Sequence, residues 1–226
     1  MTISVIIVCG GSSTRMGGVN KILLPLGNTN VAGQTMLAFE KCPEVNDIVV
    51  VCRECDREAL KNTAETLGIT KLTGFAEGGE TRQQSVFNGL RKISPDTDLI
   101  AVHDGARPLV KAEHIAKTAR DAEVFGGAVL GVPVKDTIKV VSDGLITDTP
   151  HRPSLYITQT PQIFKRRIYF EAVDFALEHE LDYTDDCQLA EAIGIKVCMT
   201  TGDYTNIKIT TPEDIKIAEL LLEEKA

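Results

Sequence analysis

The chain has 226 residues, 43% of them apolar, which is enough for one large α/β domain or two small ones with a sizeable buried core. Its formal net charge of −8 argues against general binding to nucleic acid or to a membrane surface, because a basic field supplies the affinity for both. The first residues lack the basic start of a signal peptide, and no apolar run is as long as a membrane span. We therefore expect a cytoplasmic protein.

The first predicted element is a strand over residues 3–9, a run rich in Ile and Val that is typical of a strand buried on both faces of a parallel sheet. The loop over residues 10–18 has little side-chain bulk, so its backbone N–H groups can approach an anion and form a phosphate-binding nest. Arg15 adds a fixed charge suited to phosphate and Lys21 a mobile one. The glycine spacing fits neither the Rossmann nor the P-loop signature, and the alternative is a plain Gly/Ser turn with a solvated arginine.

Apolar runs and helical patterns alternate along the next part of the chain, which predicts a parallel sheet covered by helices. We predict strands at 47–52, about 70–75, 99–102 and 128–134, and helices at about 33–42, 56–67 and 111–124. Further on we predict helices at about 165–179, 184–193 and from 212, a strand at 195–199 and an extended piece at 206–209. The sequence therefore indicates the α/β class.

Polar residues follow two of these predicted strands. Gly78 and Gly79 lead into a helix whose first turn carries Arg82, Gln83 and Ser85, where a ligand at a helix start would meet them. The alternative is an ordinary loop followed by a solvated helix face.

The strand at 99–102 runs into His103, Asp104 and Arg107. Ligands of open parallel sheets lie at the carboxyl ends of the strands, so Asp104 and Arg107 suit a site linked to a metal or a phosphate. His103 is interpreted as a packed residue at the strand end, in preference to a catalyst.

The segment 135–160 interrupts the alternation of strands and helices. Two strand-like runs, 135–141 and 145–149, flank Ser-Asp-Gly, and Asp-Gly between such runs is a strong hairpin signal. An exposed hairpin edge invites pairing unless something covers it, so we expect this arm to project and to pack against a second subunit in a homodimer.

Six cysteines lie at positions 9, 42, 52, 55, 187 and 198. Cys52 and Cys55 form one Cys-x-x-Cys pair, and a zinc site would need a second pair. Buried free thiols in a reducing cytoplasm are the preferred interpretation.

Five cations lie at predicted loop or strand ends, and in an acidic protein they form a natural anion-binding set: Arg15, Lys21, Arg107, Arg152 and Lys208. Each taken alone is more typical of a solvated surface charge. The sequence has neither a nucleophile elbow with a Ser/His/Asp set nor an HExxH motif. The pattern therefore favours electrostatic stabilisation and positioning, which transfer of a phosphorus group requires.

Seven motifs then resemble a known family. They are GSSTRM at 11–16, GGETRQQSV at 78–86, VHDGARP at 102–108, VKDT at 134–137, TPQIF at 160–164, TD at 184–185 and NIKI at 206–209. In this order, over about residues 3–222, they resemble the 2-C-methyl-D-erythritol 4-phosphate cytidylyltransferases of the non-mevalonate isoprenoid pathway. The resemblance implies one nucleotidyltransferase domain over 1–226. Its fold would be a Rossmann-like, mostly parallel twisted sheet flanked by helices, of the nucleotide-diphospho-sugar transferase type, with a protruding β-hairpin arm at about 135–160.

The resemblance also implies an activity, transfer of CMP from CTP to the sugar-alcohol phosphate with release of pyrophosphate, assisted by Mg²⁺ carried mainly by the triphosphate. It gives catalytic roles to Arg15, Lys21 and Lys208. The residues that would bind CTP are Cys9, Gly10, Gly11, Ser13, Gly79, Glu80, Ser85 and Gly105. The residues that would bind the sugar phosphate are Asp104, Arg107, Thr137, Arg152, Thr160 and Thr184, with Thr137, Arg152 and Thr160 on an arm that reaches the neighbouring subunit of the dimer.

The chain departs mildly from the family pattern. Cys9-Gly10 replaces the usual two alanines, Gly105 replaces a common alanine, and Glu80 stands where an aspartate is frequent. The last difference bears on how the base is recognised.

Three other functions are alternatives to this activity. A ribitol-5-phosphate cytidylyltransferase would share the fold, CTP and the arm, although the motifs around Arg82 and Asp104 look more like the methylerythritol enzymes. A non-catalytic nucleotide-binding domain is disfavoured because Lys21 and Lys208 are both present. A dinucleotide dehydrogenase is disfavoured by the glycine spacing.

Overall fold

The fold is built on a seven-stranded sheet, seen in a computed structural model that describes residues 1–10 and 20–223. In chain order the strands are β1 (Ile3–Val8), β2 (Pro25–Leu26), β3 (Thr29–Asn30), β4 (Val45–Cys52), β5 (Leu72–Glu77), β6 (Leu99–Asp104), β7 (Gly127–Pro133), β8 (Val140–Ser142), β9 (Leu145–Asp148), β10 (Tyr156–Lys165) and β11 (Cys198–Thr201). The strand order in the large sheet is β11-β7-β10-β6-β1-β4-β5. The other four strands form two small two-stranded sheets, β2-β3 and β8-β9.

Seven helices connect and cover the strands in the part of the chain that the structure describes. They are α1 (Val31–Glu40), α2 (Glu54–Thr66), α3 (Arg82–Leu90), α4 (Ala112–Phe125), α5 (Arg166–Glu178), α6 (Asp186–Ala192) and α7 (Pro212–Glu223). None of these helices is long and apolar enough to cross a membrane.

The predicted α/β class with a mostly parallel sheet is confirmed. β1 pairs in parallel with β4 and β6, β4 with β5, and β7 with β11, whereas β10 pairs antiparallel with both β6 and β7. The sequence analysis predicted an arm up to about residue 160 and a helix from about 165, with no sheet strand between them. Since β10 begins at Tyr156, the final residues of the predicted arm lie in the sheet.

Local hydrogen bonds shift two predicted boundaries. Helix α1 begins earlier than the predicted 33 because the side chain of Asn30 caps it by accepting a hydrogen bond from the N–H of Gly33. Strand β11 begins later than the predicted 195 because the N–H of Ile195 still donates to the carbonyl of Ala190 at the end of α6.

Two apolar layers cover the two faces of the sheet. On β1 the side chains of Val5 and Ile7 belong to a cluster with residues of α1, α2 and α4. Ile6 points to the opposite face and belongs to a cluster with residues of α3, α5 and α6. This alternation along a strand that is buried on both faces fixes which helix lies on which side.

The hairpin β8-β9 confirms the predicted turn. Asp143 and Gly144 both have positive φ, 53° and 79°, as a two-residue turn of type I′ requires. All residues of the two strands are exposed, including the apolar Val141, Leu145 and Ile146.

A close contact between α3 and the sheet gives a test of the core. A Cβ atom at Gly89 would lie 2.7 Å from Cγ2 of Ile6 and 2.9 Å from Cγ2 of Val51. We expect Gly89→Ala to lower the free energy of unfolding by up to about 2 kcal/mol, because overpacking costs about 1–3 kcal/mol and the gain in helix propensity offsets about 1 kcal/mol of that cost. Urea unfolding measures the change. Gly74→Ala is the matched control, since a Cβ there meets no atom within 4 Å, and an equal loss in both variants would contradict the packing argument.

Candidate active site

The candidate site lies where four parallel strands end side by side. Backbone hydrogen bonds continue the sheet past the strands: the N–H of Cys9 donates to Val51, that of Gly78 to Cys52, and that of Gly105 to Val8. The loops after β1, β4, β5 and β6 therefore start next to one another. The carboxyl edge of an open parallel sheet is where ligands bind, as expected from the sequence.

Small residues form one half of the site. A Cβ atom on Gly10 would lie 3.8 Å from both the Cα of Gly78 and the Oγ of Ser85. The Oγ of Ser85 accepts a hydrogen bond from the N–H of Gly79 at 2.9 Å and donates to the carbonyl of Thr81. Three predicted CTP-binding residues, Gly10, Gly79 and Ser85, are thus adjacent.

Cys9 and Gly105 form the floor beneath these residues. The Cβ atom of any larger residue at Gly105 would overlap the Sγ of Cys9. Cys9 is buried, and burial, with Cys52 and Asp56 nearby, raises the pKa of its thiol far above the usual value. The thiol is therefore a neutral packing group, and its size explains why position 105 holds glycine in this chain.

Charged side chains form the other half of the site around Asp104, the last residue of β6. Its Oδ2 lies 2.7 Å from Nζ of Lys208, and its two oxygens lie 3.7 Å from Nε of Arg82 and 3.7 Å from Nε of Arg107. Burial raises the pKa of Asp104, but the three cations outweigh it, and the net pKa lies well below the usual range. Asp104 is therefore ionised at neutral pH.

Arg107 holds the segment that carries Lys208. Its Nη1 donates to the carbonyl of Asn206 at 2.8 Å, and the Nδ2 of Asn206 donates to the carbonyl of Thr160 at 3.0 Å. The N–H of Ile209 donates to the carbonyl of Ala106. The extended piece at 206–209 is thus anchored on both sides of Lys208. The sequence pattern did not show that Arg107 and Asn206 hold this segment in place.

His103 is fully buried, which confirms the prediction of a packed residue at the strand end. The Oγ1 of Thr160 accepts from the N–H of Asp104 and therefore directs its own proton to Nδ1 of His103, 3.0 Å away. This assigns the ring proton to Nε2, which faces the carbonyl of Arg107 at 3.1 Å. Burial lowers the pKa of His103 from 6.5 to about 4, against the smaller opposing effects of its neighbours.

The helix start at α3 differs from its sequence interpretation in one respect. Gln83 does not face the site: its Nε2 donates to the carbonyl of Leu181, and its Oε1 accepts from the N–H of Tyr183. Arg82 faces the site and contacts both Asp104 and Asp186. Asp186 was not singled out in the sequence, because a buried carboxylate has no signature in a single sequence.

The other predicted site residues lie in the arm, next to α3 and α6, and after the first loop. Thr137 and Arg152 are exposed in the arm, where Nη1 of Arg152 donates to the carbonyl of Lys135. Thr184 lies next to α6 and lines a cavity of about 190 Å³. The remaining positions are Glu80, exposed just before α3, and Lys21, half-buried at the start of a 3-10 turn over Lys21–Leu23. Gly11, Ser13 and Arg15 lie outside the described residues.

Residues 1–10 and 20–223 contain no group of His, Cys, Asp or Glu side chains that could hold a metal ion. Asp104 already contacts three cations, so its carboxylate is a poor ligand for a further one. A protein-held Mg²⁺ does not fit the described part of the site.

Comparisons with known proteins cover nearly the whole chain. Residues 3–224 match the sequence profile of 2-C-methyl-D-erythritol 4-phosphate cytidylyltransferase. A relative of that name from Caldanaerobacter subterraneus is 42% identical over 225 residues, covering 98% of this chain and 99% of its own length. A second from Syntrophotalea carbinolica is 41% identical over 230 residues, covering 99% and 97%. The crystal structure of 4-diphosphocytidyl-2C-methyl-D-erythritol synthase from Anaerococcus prevotii is similar, with a TM-score of 0.87 and 32% identity over 98% of this chain and 96% of the other.

The contact between Cys9 and Gly105 gives a prediction of coupled packing. Gly105→Ala would overlap the Sγ of Cys9 and should lower the free energy of unfolding by about 1–3 kcal/mol. Cys9→Ala removes the obstructing sulfur, so the double variant should lose less than the sum of the two single losses, and chemical unfolding of all four chains measures the difference. Additive losses would contradict the direct contact.

The buried neutral imidazole gives a prediction of pH dependence. Between pH 6.5 and about 4 the unfolded chain protonates His103 and the folded chain does not, so the free energy of unfolding should fall as the pH falls. The loss due to this group should reach about 2–3 kcal/mol near pH 4.5. His103→Gln, which has no such titration, should show a correspondingly shallower fall in urea unfolding between pH 7 and 4.5. Equal slopes in the two proteins would refute the assignment.

Proposed function

The chain belongs to the 2-C-methyl-D-erythritol 4-phosphate cytidylyltransferase family, and on that premise we propose that it transfers CMP from CTP to 2-C-methyl-D-erythritol 4-phosphate, releasing pyrophosphate. The observation that carries the assignment of roles is the position of Lys208. Its ammonium group is held against Asp104 at the carboxyl edge of the sheet, next to the glycines expected to receive a nucleotide.

The chemistry requires charge neutralisation more than proton transfer. The attacking group is a phosphate-monoester oxygen, which is largely anionic at pH 7 because its second pKa is about 6. It therefore needs no general base, in agreement with a site whose histidine is buried and neutral. The barrier comes from repulsion between two polyanions and from their alignment.

The cationic cluster can lower this barrier. Arg82, Arg107 and Lys208 carry three positive charges against the two negative charges of Asp104 and Asp186, which leaves one net positive charge at the sheet edge of an acidic chain. We assign Lys208 to the charge that grows on the α-phosphate oxygens in the transition state. Arg15 and Lys21 are assigned to the triphosphate, with Gly11 and Ser13 of the same loop.

The small residues would receive the cytidine part of CTP. A Cβ atom at Gly79 would lie 2.5 Å from the Cβ of Gln84, so only glycine fits this tight turn before α3, in which Ser85 and Gln84 accept hydrogen bonds from the N–H groups of Gly79 and Glu80. Ser85 bonds to the N–H of Gly79, Gly10 lies beside Ser85, and Gly105 packs against the thiol of Cys9. Glu80 is assigned to recognition of the nucleoside from the exposed side.

Mg²⁺ is proposed to enter with the substrate. The described side chains do not form a ligand set for it, whereas the triphosphate oxygens of CTP do. When bound there, the ion supplies charge neutralisation on the leaving pyrophosphate.

The sugar phosphate is assigned to Asp104, Arg107, Thr160 and Thr184, with Thr137 and Arg152 supplied by the arm of a partner subunit in a homodimer. Thr160 was expected on that arm as well, but it is buried in β10 beside Asp104 and His103, so we assign it to the site of its own subunit. The support is the exposure of the hairpin: Val141, Leu145 and Ile146 are more than half exposed in one protomer, and a second subunit would cover them. Free thiols at all six cysteines agree with a cytoplasmic location.

The assignment of Lys208 is tested by Lys208→Ala. We expect turnover to fall by about 10²-fold or more, the scale of one lost transition-state contact. The assay is pyrophosphate release from CTP and 2-C-methyl-D-erythritol 4-phosphate in the presence of Mg²⁺. Lys216→Ala, which removes the same charge from an exposed position in α7, is the control and should leave turnover unchanged.

The choice of acceptor is tested by repeating the assay with ribitol 5-phosphate. Faster pyrophosphate release with ribitol 5-phosphate would contradict the proposed substrate.

The reach of the arm across the dimer is tested by mixing two variants. Arg152→Ala should raise the KM for the sugar phosphate, and Lys208→Ala should lower turnover by about 10²-fold or more. If each arm serves the partner's site, a mixed dimer contains one site with both residues intact, and a statistical mixture should recover about a quarter of the wild-type activity at low sugar phosphate. No recovery after subunit exchange, verified by mass, would show that each arm serves its own subunit.

A further inference from the structure

Asp186, the first residue of α6, is a buried carboxylate that none of the assigned roles uses. It is 1% exposed, and its backbone N–H donates to Oε1 of Gln162 in β10 at 2.8 Å. The hydroxyl of Tyr169 in α5 donates to its Oδ1. Both the backbone and one carboxylate oxygen of Asp186 are therefore fixed by neighbouring elements.

The second oxygen of Asp186 depends on Arg82. The Nη2 of Arg82 lies 2.7 Å from Oδ2 of Asp186, and within residues 1–10 and 20–223 no well-aligned hydrogen-bond donor reaches this buried oxygen. The contact is an ion pair, and removing one partner of a buried ion pair leaves an uncompensated charge. The two side chains consequently determine each other's position.

Arg82 also lies near Asp104, but at a longer distance. Its Nε is 3.7 Å from Oδ1 of Asp104, whereas Lys208 contacts Asp104 at 2.7 Å. The attraction between charges falls with distance. Asp186 is therefore the stronger partner of Arg82, and Lys208 is the stronger partner of Asp104. Without Asp186, the strongest remaining partner of Arg82 is Asp104.

We propose that Asp186 is a positioning residue for the proposed transfer reaction: by holding Arg82 away from Asp104, it leaves Asp104 free to hold Lys208 at the α-phosphate. The inference rests on the function proposed above for Lys208. Arg82 now faces Oδ1 of Asp104 and Lys208 contacts Oδ2. In the absence of Asp186, the guanidinium of Arg82 closes on both oxygens of Asp104 in a bidentate pair and displaces the ammonium group from Oδ2. A displacement of about 1 Å of a catalytic group is enough to lower turnover by about 10²-fold.

Asp186→Asn tests the proposal, since asparagine keeps the size of the side chain and an acceptor for Tyr169 but removes the charge that holds Arg82. We expect kcat in the pyrophosphate assay to fall by about 10²-fold, with KM for both substrates changing less than about threefold. Asp182→Asn is the matched control. It removes a carboxylate that accepts from Thr81 at the start of the same helix α3, and it should not change kcat.

Rescue by a second substitution separates positioning from a purely structural role. If Arg82 displaces Lys208, then Arg82→Gln together with Asp186→Asn should turn over faster than Asp186→Asn alone. A structural role predicts that the double variant is slower. Melting temperatures of all variants show which of them are folded at the assay temperature.

A crystal structure of Asp186→Asn decides the question without the assay. The expected result is a short contact of Arg82 with Asp104 and a longer distance from Asp104 to Lys208. An unchanged contact between Asp104 and Lys208 would overturn the inference even if the variant were slow. If the wild-type chain releases no pyrophosphate, the proposed function fails, and the crystal structure still accepts or rejects the role of Asp186 in placing Lys208.

Discussion

The attraction between one buried carboxylate and three cations is the interaction on which the site depends. Asp104 lies at the end of β6, and Arg82, Arg107 and Lys208 approach it from three separate parts of the chain. Burial opposes ionisation of this group, and the cations more than offset that cost. The helix start at α3, the turn after β6 and the extended piece before α7 therefore converge on one point. Loss of Asp104 would leave three cations facing one another.

The backbone brings this carboxylate to the edge where the small residues lie. Because β1, β4, β5 and β6 run in parallel, hydrogen bonds between the residues just beyond them place Cys9, Gly78 and Gly105 in a row. Side-chain size then decides what each position can hold. The thiol of Cys9 fills the volume that a Cβ at Gly105 would need, so a cysteine at position 9 requires a glycine at position 105. At this edge the same four strands position both the charged side chains and the small residues of the candidate site.

Much of this arrangement follows from sequence patterns, and the rest depends on contacts between distant residues. Apolar runs predicted the parallel strands, Asp-Gly predicted the hairpin turn, and the residues after the strand at 99–102 indicated a site at the sheet edge. Strand β10 was not predicted, because its place between β6 and β7 depends on pairing with partners far away in the chain. The roles of Asp186 and Asn206 were missed for a related reason. Burial turns an ordinary polar residue into an anchor, and burial arises only when α6 and the 206–209 segment pack against the sheet.

The site contains more positive than negative side chains, and this excess affects both stability and function. With three cations and two carboxylates, the described cluster holds one positive charge in excess, and Arg107 is sufficiently buried that its pKa is lowered. A chain optimised only for stability would balance this charge, because an unpaired charge at a desolvated position is unfavourable. Replacing one of these carboxylates by a neutral residue would raise the net positive charge that attracts a polyanion. It would also remove a group that holds the cations in place. Two carboxylates supply enough negative charge to hold the three cations in defined positions. They do not neutralise the cations fully, so the cluster can still attract an anionic substrate.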